Sequence, residues 1–182
     1  MKSLTLLRHA KSTWDDPVAR DFDRPLNRRG RRAATTVGRE MRAQDLAFDR
    51  IIASPAVRVV ETLGDIAAGY GAPLDIDYDQ RLYLASTDTL LDLVREVGDD
   101  VERLLLVGHN PGLETLALLL ARDGGDALRG ELSVKYPTGT VAQVALDVDH
   151  WRDAAPGSGR LVRFIRPRDL DPELGPDEDS GY

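Results

Sequence analysis

The chain has 182 residues, 42% hydrophobic and 30% charged, a net charge of −7, a pI near 5.0 and no cysteine. This length is one domain able to bury its own core. The missing cysteines exclude disulfides, thiolate metal sites and cysteine nucleophiles, and the acidic balance argues against a broad nucleic-acid-binding surface.

The N-terminal apolar run is too short for a signal peptide or a membrane span, so the expectation is a cytoplasmic protein without a membrane partner. Residues 2–7 read as a buried strand, and Arg8 and His9 emerge at its carboxyl end. Residues 11–26 form a polar loop in which Asp15, Asp16, Asp21 and Asp23 mix with Arg20 and Arg24. Pro17 and Pro25 interrupt any helix there. Asn27 is placed to cap a helix over 28–46. Residues 50–53 are a short strand. Ser54 is the expected cap and Pro55 the first residue of the next helix, which ends near residue 68 at Gly69 and Gly71.

Residues 74–78 read as another short strand. Ser86 is placed to cap a helix over 87–97, whose Leu90, Leu93, Val94 and Val97 share one face. Residues 103–107 are a strongly apolar strand. Asn110-Pro111 then repeats the cap-and-proline pattern before a helix over 113–121. Residues 140–148 alternate as a half-buried strand, and 161–165 form the last one.

This alternation predicts a three-layer α/β/α domain over residues 1–166, with a mostly parallel central sheet and a late antiparallel portion. Residues 167–182 carry six acids and one base, Arg168. They hold little apolar material, so an acidic, flexible tail is expected.

Three strand ends carry polar residues suited to one rim: Arg8-His9, Ser54 and His109. In open α/β sheets ligands bind at the carboxyl ends of the strands. Arg58 lies one turn into the helix after Ser54, and helical side chains lean toward the N-terminus, so it reaches back over the rim. Two arginines, two histidines and two helix starts suit a phosphoryl group. Each residue alone also has a plainer reading. Arg58 suits an exposed pair with Glu61, His109 a satisfied core histidine, and Ser54 and Asn110 simple caps. His150 follows the strand over 140–148 and is expected to face solvent. Lys11, Trp14 and Arg24 are placed to line an entrance, and residues 136–140 to return near the pocket.

These residues resemble the histidine phosphatase superfamily, also called phosphoglycerate-mutase-like. The matching stretches are Leu7-Arg8-His9-Ala10, Arg24-Pro25-Leu26-Asn27-Arg28-Arg29-Gly30, Ser54-Pro55-Ala56-Val57-Arg58-Val59-Val60-Glu61-Thr62 and Val107-Gly108-His109-Asn110. The short length and Arg-His-Ala most resemble SixA-type phosphohistidine phosphatases. The resemblance implies that His9 is the nucleophile and carries a phosphohistidine intermediate. It implies that Arg8, Arg58 and His109 hold the phosphoryl oxygens, with no metal or other cofactor.

Many members of the superfamily carry an acid after a stretch like Arg81-Leu82, where it protonates an alkoxide leaving group. This chain reads Arg81-Leu82-Tyr83-Leu84-Ala85, and Leu84 holds the acid's place. Imidazole departs neutral from a phosphohistidine, so the missing acid favours a phosphoramidate or another activated phosphate over a plain alkyl ester, with a phosphorylated protein as the expected partner; Asp15, Asp16, Asp21, Asp23 and Asp79 stand as substitute acids or as solvated loop residues. The alternatives are a phosphatase of a small phosphorylated molecule and a low-turnover phosphate-binding regulatory module.

Overall fold

The structure is a computed structural model that describes residues 1–15, 17, 20–123 and 127–175. Six strands form one sheet: β1 (Lys2–Arg8), β2 (Arg50–Ala53), β3 (Asp77–Tyr78), β4 (Arg103–Gly108), β5 (Val141–Leu146) and β6 (Gly159–Ile165). Their order is β3-β2-β4-β1-β5-β6. β1, β2, β3 and β4 run parallel, whereas β5 and β6 are antiparallel to their neighbours. This is the expected mostly parallel sheet with a late antiparallel portion.

Helices cover both faces because the central strands are apolar on both sides. On one face α1 (Arg28–Ala43) and α2 (Val57–Tyr70) pack Ala34, Val37, Val59 and Leu63 against Leu7, Leu105 and Val107. On the other, α3 (Thr87–Arg95) and α4 (Gly112–Leu120) set Leu90, Val94, Leu113 and Leu116 against Leu4, Leu6, Leu104 and Leu106. A further helix, α5 (Ala127–Val134), follows α4; the sequence reading did not anticipate it. Among the described residues no helix is long and apolar enough to cross a membrane.

Local signals explain most boundaries. Asn27 caps α1 by accepting the Gly30 N–H at 2.7 Å, and Ser86 caps α3 by accepting that of Thr89 at 3.2 Å. Gly71 ends α2 in the left-handed region at φ 80°. Ser54 does not cap α2. That helix starts three residues later, with Ala56 at the cap position and no side-chain cap bond.

Pro167 starts a short helix, α6 (Pro167–Leu170), and Leu174 is buried in a following 3-10 turn. Arg32 of α1 holds Asp171 at 2.6 Å and Glu173 at 2.8 Å. Ion pairs to a helix 139 residues earlier in the chain are invisible in a local composition count. Residues 176–182 of the expected tail lie outside the described residues.

Candidate active site

Sheet register assembles the rim. Arg8 pairs with Gly108 across β1 and β4, so His9 and His109 leave adjacent parallel strands side by side. Their ring centroids are 5.3 Å apart. Ala53 pairs with Val107, which sets Ser54 beside the same strand end, and the Ser54 N–H donates to the Val107 carbonyl at 3.0 Å. The turn before β5 closes the other side. Gly139, at φ 75°, donates its N–H to the carbonyls of Arg8 and His9. That left-handed conformation favours glycine.

Hydrogen bonds decide the state of each ring. His9 Nδ1 lies 2.7 Å from the Ala10 carbonyl. A carbonyl only accepts, so Nδ1 carries the proton and Nε2 keeps its lone pair. Ala10 is itself held, because its N–H donates to Thr62 Oγ1 at 2.9 Å and that hydroxyl donates to the Arg58 carbonyl at 2.6 Å. His109 has the opposite tautomer. Arg58 Nη2 lies 3.3 Å from its Nδ1, and a guanidinium only donates. Nε2–H of His109 therefore donates to Ser54 Oγ at 2.8 Å.

Both rings are held neutral. Burial, then the neighbouring His109, Arg8 and Arg58, outweigh the Ala10 hydrogen bond and hold His9 well below the ordinary imidazole value. Burial, then the Arg58 charge, bring His109 down to about 3. The two arginines are gripped alike. Arg8 donates Nη1 to the Tyr136 carbonyl at 2.9 Å, and Arg58 donates Nη1 to the Asp21 carbonyl at 2.7 Å. The Nε of each is buried and has no partner among the described residues. Two buried guanidinium Nε–H groups without acceptors among the described residues, beside a neutral imidazole, suit an anion.

Sequence comparison agrees with this chemistry. The model of the histidine phosphatase superfamily (branch 1) matches residues 4–83. A solved structure from Nakamurella multipartitia, described as a candidate phosphohistidine phosphatase SixA, is 30% identical with a TM-score of 0.79, and the match covers 91% of this chain and 96% of that one. The chain belongs to the histidine phosphatase superfamily. Its Agrobacterium tumefaciens counterpart, described in the same way, is 31% identical with a TM-score of 0.75, over 91% of this chain and 98% of that one. An uncharacterized Mycobacterium tuberculosis protein is 42% identical over 164 residues, which span 89% of this chain and all 100% of the relative. The chain is a histidine-type phosphatase of SixA-like kind.

The phosphatase site holds one group from the polar loop beyond the four expected residues. Asp21 opens a 3-10 turn, Asp21–Asp23, that folds over Arg58. Its Oδ2 accepts from Arg58 Nη2 at 3.1 Å and from the Tyr83 hydroxyl at 2.5 Å, and its Oδ1 accepts from Arg24 Nε at 3.1 Å. Burial pushes the Asp21 carboxyl up, but Tyr83, Arg58 and Arg24 together outweigh it and bring it down to about 2. Tyr83 stands edge-on to the His109 ring, with centroids 5.5 Å apart.

The four expected site residues thus meet, and the plainer reading of Arg58 fails. Arg58 is buried, and Glu61 turns instead to Arg31 and the Leu26 N–H. His109 is buried with both ring nitrogens hydrogen-bonded, to Arg58 and Ser54, so it is a satisfied histidine as the plainer reading has it, set beside His9 in a polar cluster. Arg24 lies under Trp14, 3.4 Å from the ring centroid, at the mouth. Leu84, in the acid's place, is exposed with φ 50°. His150 is part-exposed beside Asp99 at 2.9 Å, as expected for a solvent-facing ring. A cavity of about 330 Å³ opens at the other end of β2 among Phe48, Arg50, Tyr70 and Leu74, and none of the four site residues lines it.

Proposed function

We propose that this phosphatase hydrolyses phosphohistidine on a protein through a phosphoryl intermediate on His9. Arg8 and Arg58 hold the phosphoryl oxygens, with the two unpartnered Nε–H groups donating to them, and His109 turns its Nε2–H from Ser54 to an oxygen as the phosphoryl group binds. Nε2 of His9 attacks phosphorus, and the P–N bond to the departing ring breaks with its electron pair going to that ring. Water then attacks phospho-His9 and the P–N bond breaks with its electron pair returning to Nε2, releasing phosphate and leaving His9 neutral, its Nδ1–H still donating to the Ala10 carbonyl. The two steps replace one harder displacement, and fixed positive groups stabilise the charge that passes between them.

The observation that carries the substrate class is that the carboxyl touching Arg58 is bound by three donors, Arg58, Tyr83 and Arg24. Leu84 offers no proton, and Asp21, the carboxyl that touches Arg58, is held ionised at about 2. An alkyl ester needs a proton donor for its alkoxide. A protonated phosphoimidazole needs none, because its ring departs neutral. The SixA-type descriptions of the two solved relatives point the same way.

The test is turnover of a phosphohistidine-bearing protein against alkyl and aryl phosphates, in EDTA, with His9→Ala as control. Fast release from phosphohistidine that depends on His9 supports the reading. Preference for an alkyl phosphate refutes the substrate class, and tight phosphate binding without turnover of any substrate refutes the reaction.

A further inference from the structure

The inference concerns Asp21, and it rests on the phosphohistidine reading. Arg58, His9 and His109 are all buried. A phosphoryl group on them sits at the base of the site, so the rest of the substrate extends toward solvent. Asp21 reaches from solvent to the buried Arg58. Its side chain is 40% exposed, yet it touches Arg58, whose side chain is 3% exposed. Its three hydrogen bonds, from Arg58, Tyr83 and Arg24, use about three of a carboxylate's roughly four lone-pair positions. Arg24 Nη2 also lies 3.1 Å from Oδ1, so an incoming N–H shares that oxygen with the Arg24 guanidinium.

An anionic carboxylate beside a phosphoryl site has an electrostatic cost. It shares Arg58 with the substrate's oxygens and repels their charge. The same charge attracts a leaving group that carries a positive N–H. We propose that Asp21 is a specificity-determining residue that accepts the N–H of the departing imidazole, so that the site prefers a phosphorylated imidazolium to a phosphate ester. The step balances. Protonated phosphoimidazole passes its phosphoryl group to neutral His9, the P–N electron pair stays on the departing nitrogen, and the ring leaves neutral with its other nitrogen still bearing hydrogen. A carboxylate acceptor favours the protonated form of that ring.

The groups facing Asp21 are Arg58 from α2, Tyr83 from the segment before α3, His109 from the end of β4, and Arg24 from its own loop. Arg20 of that loop is engaged by Asp23 at 2.8 Å. These neighbours hold the Asp21 carboxyl down at about 2.

The test compares kcat/KM for a phosphohistidine peptide with that for p-nitrophenyl phosphate, an ester with no N–H on its leaving group. The ratio is measured in wild type and in Asp21→Asn. The expected result is a ratio lowered at least about tenfold, with the basic limb of kcat for the peptide moved down by about one pH unit. An equal fall on both substrates, with no pH shift, means that Asp21 only orients Arg58, and it overturns the proposal. A second measurement needs no variant. Wild type should turn over phosphoimidazole at least about tenfold faster than its N-methylated counterpart, each relative to its uncatalysed rate; equal ratios overturn the proposal. Failure of the phosphohistidine reading looks different, because wild type would then leave the peptide intact while hydrolysing the ester.

Discussion

Thr62 ties the residue after His9 to α2, and its loss should be read twice, in stability and in rate. Its fully buried hydroxyl accepts the Ala10 N–H at 2.9 Å and donates to the Arg58 carbonyl at 2.6 Å. Thr62→Val removes the hydroxyl with little change of shape and strands the Ala10 N–H. A buried donor left unpaired costs about 1–3 kcal/mol. In a chain of this length, about 2 kcal/mol lowers Tm by roughly 4–8 °C. Ala10 also orients His9, because its carbonyl takes the Nδ1 proton at 2.7 Å. A ring displaced by a fraction of an ångström should slow phosphoryl transfer by roughly tenfold to a hundredfold. Thermal unfolding and single-turnover kinetics measure the two effects, and Thr62→Ser, which keeps the hydroxyl, should restore most of both. A Thr62→Val protein with wild-type Tm and wild-type rate would refute the argument.

Three further predictions follow from other contacts. His9 and His109 bind fewer protons folded than unfolded, so their contribution to stability is complete above about pH 6.5 and declines as pH falls below it. Denaturant unfolding at pH 7.5 and pH 5.5 should show that decline, at up to about 1.4 kcal/mol per pH unit for each ring, and His109→Gln should make it shallower. Arg58→Lys loses both the fork toward Asp21 and the buried Nε donor, so calorimetric affinity for inorganic phosphate should fall at least about tenfold; unchanged affinity would contradict the assignment. A Cβ on Gly38 would lie 2.3 Å from the Ile66 carbonyl oxygen where α1 meets α2. Gly38→Ala should therefore destabilise by about 1–3 kcal/mol in denaturant unfolding.

Chain-order periodicity made the frame of the molecule readable. The apolar runs that became β1, β2 and β4 are buried on both faces, and continuous apolar runs of that length read as parallel strands. Asn27 and Ser86 were readable as caps because capping depends on residues within one turn. Arg8, His9, Arg58 and His109 were readable because each stands at a strand end or one turn beyond it. What failed depends on distance along the chain. Ser54 carries a cap's chemistry, but its hydroxyl goes to His109, 55 residues away. Asp21 looks like the other loop aspartates until the turn at Asp21–Asp23 meets Arg58, 37 residues on. Leu174 is buried although the acidic composition around it argued for an unpacked tail, because Arg32 of α1 supplies the matching charge for Asp171 and Glu173.

The central claim is that His9 Nε2 takes the phosphoryl group. Rapid-quench mixing with a radiolabelled phosphohistidine peptide, followed by mass spectrometry of the quenched enzyme, tests it most directly. The account expects an acid-labile, alkali-stable phosphoryl group on Nε2 of His9 that forms and decays at rates compatible with turnover and is absent in His9→Ala. Full turnover with no phosphoenzyme in wild type, or a label on His109, would contradict it.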